Sequence, residues 1–334
     1  MNKKRVLAML LAGAMALSMT ACGGGSASSG DGSSNDGGGS YKVSVILKTL
    51  AAEYWQYVKS GAEDYASEHS DKVTVEVKGP SSETAFDEMQ NMIETDLSSG
   101  SYDGVIISPL QSDTAAQLVS GTKLPIVAID TNFTAPEVKS FVGTGNEAAA
   151  KKGGEAAVEA AKAAGWTDIK CIEIAGVQGD QTNTARMNGY KAGVEEAGGT
   201  FLSDEVQYAD ATADRATTAM EAIMQTHPEG IAIICANNDD MAMAAARAAQ
   251  GHDAYKNTIF LGFNGDRAAC EAILAGQMTM SVAQMAYEMG YKAVETMVQV
   301  LDGETVDEFV DSGSDVVTPD NAQERLDTLK TQLH

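Results

Sequence analysis

The sequence predicts an α/β protein of two lobes, each a Rossmann-like parallel sheet with helices on both faces. Three observations lead there. From Tyr41 onward, short apolar runs of strand length alternate with stretches of helical period. The runs are more numerous than the strands of one open sheet of ordinary size. The chain has 334 residues, more than one compact core usually holds.

The elements follow in order. Lys3, Lys4 and Arg5 precede an apolar run from Val6 to Leu17, and Ser18-Met19-Thr20-Ala21-Cys22 comes next. A basic start, a short apolar stretch and small residues before a cut form an export signal over residues 1–21, too short to span a membrane. Residues 22–40, dominated by glycine and serine, cannot bury enough apolar surface to order themselves and read as a tether. Strands are then predicted over Val43–Leu47, Val73–Val77, Gly104–Ser108, Ile126–Asp130 and Phe141–Thr144. A second set covers Ile169–Ile174, Glu205–Tyr208, Ile231–Ala236, Ile259–Phe263 and Thr279–Ala283. Between them, Val58, Ala62 and Tyr65 recur at helical spacing, as do Phe86, Met89, Ile93 and Leu97, and Met220, Ile223 and Met224. Such alternation implies parallel strands covered on both faces.

Composition excludes several classes of function. The chain carries 23 basic and 47 acidic residues, a net charge of −24, and so negative a surface repels nucleic acid and anionic lipid head groups. Cys171 and Cys235 fall inside apolar runs and read as buried small hydrophobes, and with Cys270 they form no CxxC or Cys/His spacing. The histidines are scattered without metal-ligand spacing. There is no P-loop and no GxSxG, and Gly143–Ala148 lacks the third glycine of a dinucleotide loop. Neither catalysis nor a cofactor is indicated.

In open parallel sheets, ligands bind outside the carboxyl ends of the strands. The residues there are Lys48 and Thr49 with Tyr54 and Trp55, then Ser108, Asp130-Thr131, Thr144-Gly145-Asn146, Gln178-Gly179-Asp180, Asn237-Asn238-Asp239, Asn264-Gly265-Asp266 and Gln284. Nearly all can donate and accept hydrogen bonds or are carboxylates. Asp and Asn suit adjacent hydroxyls, and ring faces cover the C–H patch of a sugar, so the set points to a polyhydroxylated ligand. Asp130 ends an apolar strand and is expected to face that ligand rather than only cap a turn. Asn238 is expected to face it while Asp239 caps the following helix. Tyr54 and Trp55 read as a stacking wall; the alternative, since neighbours on a helix cannot point the same way, is that one of them faces the hinge or helix core. Lys48 is expected either to bond a ligand hydroxyl or to pair with Asp130.

With these residues in place, the chain resembles the extracytoplasmic sugar-binding proteins of ABC importers, of the ribose- and galactose-binding type. CANNDDMAMAAARAA (Cys235–Ala249) and FLGFNGDRAACEAILAGQMTMSVAQ (Phe260–Gln284) carry the resemblance, with ISPLQSDT (Ile107–Thr114) and PIVAID (Pro125–Asp130). It spans about Tyr41 to Val317. Met19-Thr20-Ala21-Cys22 looks like the lipobox of bacterial lipoproteins, which implies cleavage before Cys22 and its lipidation.

The resemblance implies a Venus flytrap with three hinge crossings. Its first lobe would take residues 41–144 and 285–311, and its second residues 145–284 and 312–334. It implies ligand contacts at Lys48, Tyr54, Trp55, Ser108, Asp130, Thr144, Asn238, Asn264 and Gln284. The family's arginine near the second lobe's second helix falls closest to Thr184, with Arg186 two residues on. Lys48 stands where a small polar residue is frequent, Asn264 where Asp is, and Thr131 where ribose binders carry Arg, which argues against ribose itself. The implied protein is a monomer, lipid-anchored on the outer face of the cell membrane, that hands a monosaccharide or polyol to an ABC permease. A receptor for a sugar-like signal of the furanosyl autoinducer type, coupled to a sensor kinase, is the alternative. A transcription regulator of the same core would need a helix-turn-helix where this chain has its signal and tether.

Overall fold

The computed structural model describes residues 40–333, so the expected export signal, the tether and lipidation at Cys22 lie outside the described residues. The first half of the fold runs β1 (Tyr41–Ile46), α1 (Glu53–Glu68), β2 (Val73–Lys78), α2 (Phe86–Ser99), β3 (Gly104–Ile107), α3 (Ser112–Val119), β4 (Ile126–Ile129) and β5 (Val138–Gly143). It continues through α4 (Asn146–Ala163), β6 (Lys170–Ala175), α5 (Gln181–Glu196), β7 (Thr200–Phe201), β8 (Gln207–Tyr208) and α6 (Ala213–Thr226). Next come β9 (Ile233–Ala236), α7 (Asp239–Ala249), β10 (Ile259–Asn264), α8 (Arg267–Leu274) and β11 (Met280–Gln284). The chain closes with α9 (Ala286–Leu301), β12 (Phe309–Asp311), β13 (Ser314–Val317) and α10 (Ala322–Gln332).

These strands form two sheets, ordered β12-β5-β4-β3-β1-β2 and β13-β11-β10-β9-β6-β7, with β8 beside β6. The chain passes between them three times: after β5, after β11 and between β12 and β13. All pairings are parallel except β11 with β13, where Gln284 lies opposite Ser314.

Each strand splits its residues between two apolar layers, which is why the runs are continuous rather than alternating. In the first sheet Val43, Val45, Ile106, Val127 and Ile129 face α1 and α9, sharing a cluster with Val58, Ala62, Met289 and Val294. Ile46, Val105, Ile107, Ile126 and Ala128 face Met89 and Ile93 of α2 and Ala115 and Val119 of α3. In the second sheet Cys171, Ile233, Cys235, Leu261 and Val282 pack on Ala150, Ala157 and Val158 of α4 and on Tyr190 and Val194 of α5. Cys171 and Cys235 are free and buried.

The predicted strands are present with ends moved by one to three residues, the largest shift being β5, which starts at Val138 rather than Phe141. The segment Glu205–Tyr208 is the exception: Ser203–Glu205 makes a 3₁₀ turn, and only Gln207–Tyr208 joins the sheet. The short β7, and β12 and β13 near the end, were not predicted, because segments of two to four residues carry no readable alternation.

The returning helix α9 lies tightly on α1. A Cβ added at Gly61 would run into the Tyr287 carbonyl oxygen, and one added at Gly290 into that of Val58. In an ordinary exposed helix Gly→Ala stabilises by about 1 kcal/mol. Here the sign is expected to reverse. Gly290→Ala should cost about 1–3 kcal/mol through overpacking, visible in a denaturant melt; a stabilised variant would show that the helices can move apart freely.

Candidate functional site

The parallel strands of both sheets deliver their carboxyl ends to one cavity between the two lobes. Its enclosed space is about 70 Å³, and about 630 Å³ with the open mouth included. Lys48, Tyr54, Trp55, Glu83 and Asp130 line it from the first lobe. Asp180, Thr182, Asn183, Arg186, Asn237, Asn238, Asp240, Asn264 and Asp266 line it from the second.

Lys48 follows β1 and is 5% exposed. Its Nζ lies 2.5 Å from Asp180 Oδ2 and 4.0 Å from Asp130 Oδ2. Asp180 is in turn the N-cap of α5, accepting a hydrogen bond from the Asn183 backbone N–H at 2.8 Å. The ion pair therefore crosses the cleft, from a first-lobe strand end to a second-lobe helix start. Burial works to lower the lysine pKa, but Asp180, Asp130 and Glu83 outweigh it and hold it above its usual value. Pairing with Asp130 is one of the two expected roles and is present, but the nearer partner is Asp180, which belongs to the opposite lobe.

Asp130 sits at φ 62°, a left-handed conformation that costs a non-glycine residue energy and persists where surrounding bonds fix it. Those bonds are present: Tyr54 Oη donates to Oδ1 at 2.8 Å, and Thr131 Oγ1 donates to Oδ2 at 2.9 Å. Thr131 also meets Thr182 Oγ1 at 2.6 Å, a second polar contact across the cleft. Burial and Asp130 together push the Tyr54 phenol well above its ordinary pKa, so it stays a donor.

Tyr54 and Trp55 both line the cavity, so neither takes the alternative of turning to the hinge or helix core. They occupy the first turn of α1, where the helix end itself faces the cleft, and their rings meet edge to face with centroids 4.9 Å apart. Trp55 Nε1 donates to Glu83 Oε1 at 3.1 Å, and burial raises the Glu83 pKa. Glu83 was missed because it lies in the loop beyond β2, five residues past the strand end.

The second-lobe wall is built on Arg186. Its Nε donates to Asn146 Oδ1 at 2.9 Å and Nη1 to the Asn237 carbonyl at 2.8 Å, and the guanidinium lies 3.9 Å over the Phe263 ring. Asn183 Oδ1 accepts from the Gly176 backbone N–H. Asn238 lines the cavity as expected, but the expected helix cap moves from Asp239 to it. Asn238, not Asp239, caps α7, accepting from the Met241 N–H at 2.9 Å while its amide donates to the Ala211 carbonyl. Asp239 is buried and takes bonds from Ser281 Oγ and the Asp266 N–H. Burial raises its pKa to about 6. Burial and the neighbouring Asp239 raise Asp266 well above the usual range.

Three expected site residues do not line the cavity. Ser108 is fully buried, its Oγ without a partner. Thr144 bonds Ser312 Oγ at 3.2 Å, so it ties one hinge crossing to another. Gln284 stands behind Asn264, donating to its Oδ1 at 3.0 Å. Arg325 of α10, which no motif marks, donates to the Gly265 and Gln284 carbonyls and holds that loop in place.

Comparison with known proteins agrees with this architecture. Residues 43–305 match the model of the periplasmic binding protein domain. The chain is 30% identical over 265 residues to the D-allose-binding periplasmic protein of Escherichia coli K12, covering 76% of this chain and 83% of that protein. It is 27% identical over 268 residues to the ribose import binding protein RbsB of the same organism, covering 79% and 86%. Among solved structures, a carbohydrate transporter solute-binding protein from Agrobacterium radiobacter in complex with D-arabinose superimposes with a TM-score of 0.78 at 23% identity, over 88% of this chain and 99% of that one.

The cross-cleft ion pair gives a direct test. Lys48→Met leaves Asp130 and Asp180 facing each other without their cation, so the unliganded variant should sit more open than the wild type. Small-angle X-ray scattering should show a larger radius of gyration; equal radii would mean that the pair does not hold the lobes together.

Proposed function

We infer the function from one premise: the chain belongs to the periplasmic binding protein domain family. Its relatives are solute-binding proteins, not enzymes. On this reading the protein binds a monosaccharide or related polyol between its lobes and delivers it to the membrane subunits of an ABC importer. The observation that carries the reading is the cavity itself, walled by carboxylates, amides and hydroxyls and flanked by the two rings of Tyr54 and Trp55. Relatives named for D-allose and ribose support the ligand class.

The mechanism follows from where the contacts lie. Asp130, Tyr54 and Trp55 come from one lobe, and Arg186, Asn238 and Asn264 from the other. A sugar reaches both sets only when the lobes are closed, so it favours closure by its differential affinity. The closed surface is then what a permease recognises. Ser108, Thr144 and Gln284 act behind the wall or at the crossings. The lipobox-like Met19-Thr20-Ala21-Cys22 supports an anchor on the outer face of the cell membrane, with the folded part acting as a monomer.

A second reading is a receptor for a sugar-like signal, and one observation favours it. The buried Lys48 between Asp130 and Asp180 replaces part of an uncharged sugar lining with fixed charge, which suits a strongly hydrated furanosyl ligand. A histidine kinase gene beside this one would support sensing, and permease and ATPase genes import.

A thermal-shift panel of pentoses, hexoses, deoxysugars and polyols should include at least one ligand that stabilises the protein. Affinity should be micromolar or tighter, on the order of −8 kcal/mol. Asp130→Ala should weaken that ligand about 10- to 100-fold in calorimetry, the loss of a charged hydrogen-bond partner. No shift across the panel would refute the sugar reading.

A further inference from the structure

The run Lys170–Ala175 places a carboxyl in the middle of a buried strand. Glu173 is 0% exposed, and its neighbours Ile172 and Ile174 pack in the apolar layer towards α6 and α7. Glu173 Oε1 accepts from Asn237 Nδ2 at 3.3 Å, and Oε2 has no partner. The same Asn237 amide donates to the Asn183 carbonyl at 3.3 Å, and the Asn237 carbonyl accepts from Arg186 Nη1 at 2.8 Å. Asn183, Arg186 and Asn237 all line the cavity. Glu173 therefore stands one bond behind the second-lobe wall.

We propose that Glu173 is a positioning residue for the ligand cavity, fixing the Asn237 amide and, through the Asn237 backbone, the aim of the Arg186 guanidinium. The proposal rests on the sugar-binding reading for its effect on affinity, but not for the positioning itself. A buried carboxylate with an oxygen lacking any donor is strongly disfavoured, so the group is held as the neutral acid. Charged and titratable groups facing it are Arg186 and Tyr190 of α5 and Cys235 of β9. Burial raises its pKa to about 8, the Asn237 bond and Arg186 opposing. Above that pH the new charge attracts Arg186 from the cavity face towards the strand.

The sign of the stability effect follows. In the unfolded chain Glu173 ionises near its ordinary pKa, whereas in the fold it keeps its proton to about 8. The wild type therefore loses stability relative to Glu173→Gln as pH rises from about 4.5 towards 8, and no more beyond.

The experiment uses the whole protein and Glu173→Gln, which imitates the neutral acid. In ligand-free protein, the NMR signals of the Asn237 side-chain amide and Arg186 Nε–H should move together between pH 7 and 9 in the wild type and stay still in the variant. The melting temperature of the variant minus that of the wild type should grow from pH 5 to 8. With D-ribose and D-allose as probes, wild-type affinity should fall roughly tenfold from pH 7 to 9 and the variant's should stay flat, a charged hydrogen bond being lost. Signals that do not move in the wild type, or that move equally in both proteins, overturn the proposal. If neither sugar binds the wild type, the ligand reading fails for these sugars while the NMR and melting measurements still decide the role of Glu173.

Discussion

Parallel strands end on the same side of their sheet, and that constraint organises everything else in this molecule. The hydrogen-bond ladder fixes β1, β3, β4 and β5 in one direction, so Lys48, Ser108, Asp130 and Thr144 emerge along one edge. The second sheet does the same for Asn237, Asn264 and Gln284. Strand interiors are mostly apolar because helices cover both faces, which leaves the strand ends as the main place for polar chemistry. The cavity is the meeting of two such edges.

Within that meeting place, charge is unevenly distributed. The carboxylates of Glu83, Asp130, Asp180, Asp240 and Asp266 outnumber the cations Lys48 and Arg186. Both cations are already engaged, Lys48 with the two aspartates and Arg186 with Asn146, Asn237 and the Phe263 face. The consequence is a lining rich in acceptors. A ligand carrying many hydroxyl donors fits it, and an anionic solute does not.

Much of this was legible from the residues alone, for identifiable reasons. The two-lobed α/β fold could be read because long apolar runs and helical periods repeat; Lys48, Tyr54, Trp55, Asp130, Asn238 and Asn264 could be reached as cavity-lining residues by looking after strand ends, and Arg186 only through the family resemblance. What could not be read was anything set by closure or by side-chain direction. Asp180 was visible as a loop residue, but its bond to Lys48 depends on how near the lobes come. That Asn238 rather than Asp239 caps α7 turns on a one-residue difference in where the helix starts. Thr144 and Gln284 stand at the right strand ends yet bond into the crossings or behind the wall, and Ser108 is fully buried. Glu173 did leave a signal, a lone acid inside the apolar run KCIEIA, but a search confined to strand ends passes over it.

The return of the chain to its first sheet carries a consequence for how the molecule is made. Helix α9 packs on α1, where Tyr287 Oη donates to Asp64 across 223 positions of sequence, and β12 supplies the outer strand beside β5. The earlier lobe thus lacks a covering helix and an edge strand until synthesis has passed Asp311. Contacts of such long range form slowly. The first lobe therefore cannot complete its core until α9 and β12 arrive, so its folding waits on elements far along the chain.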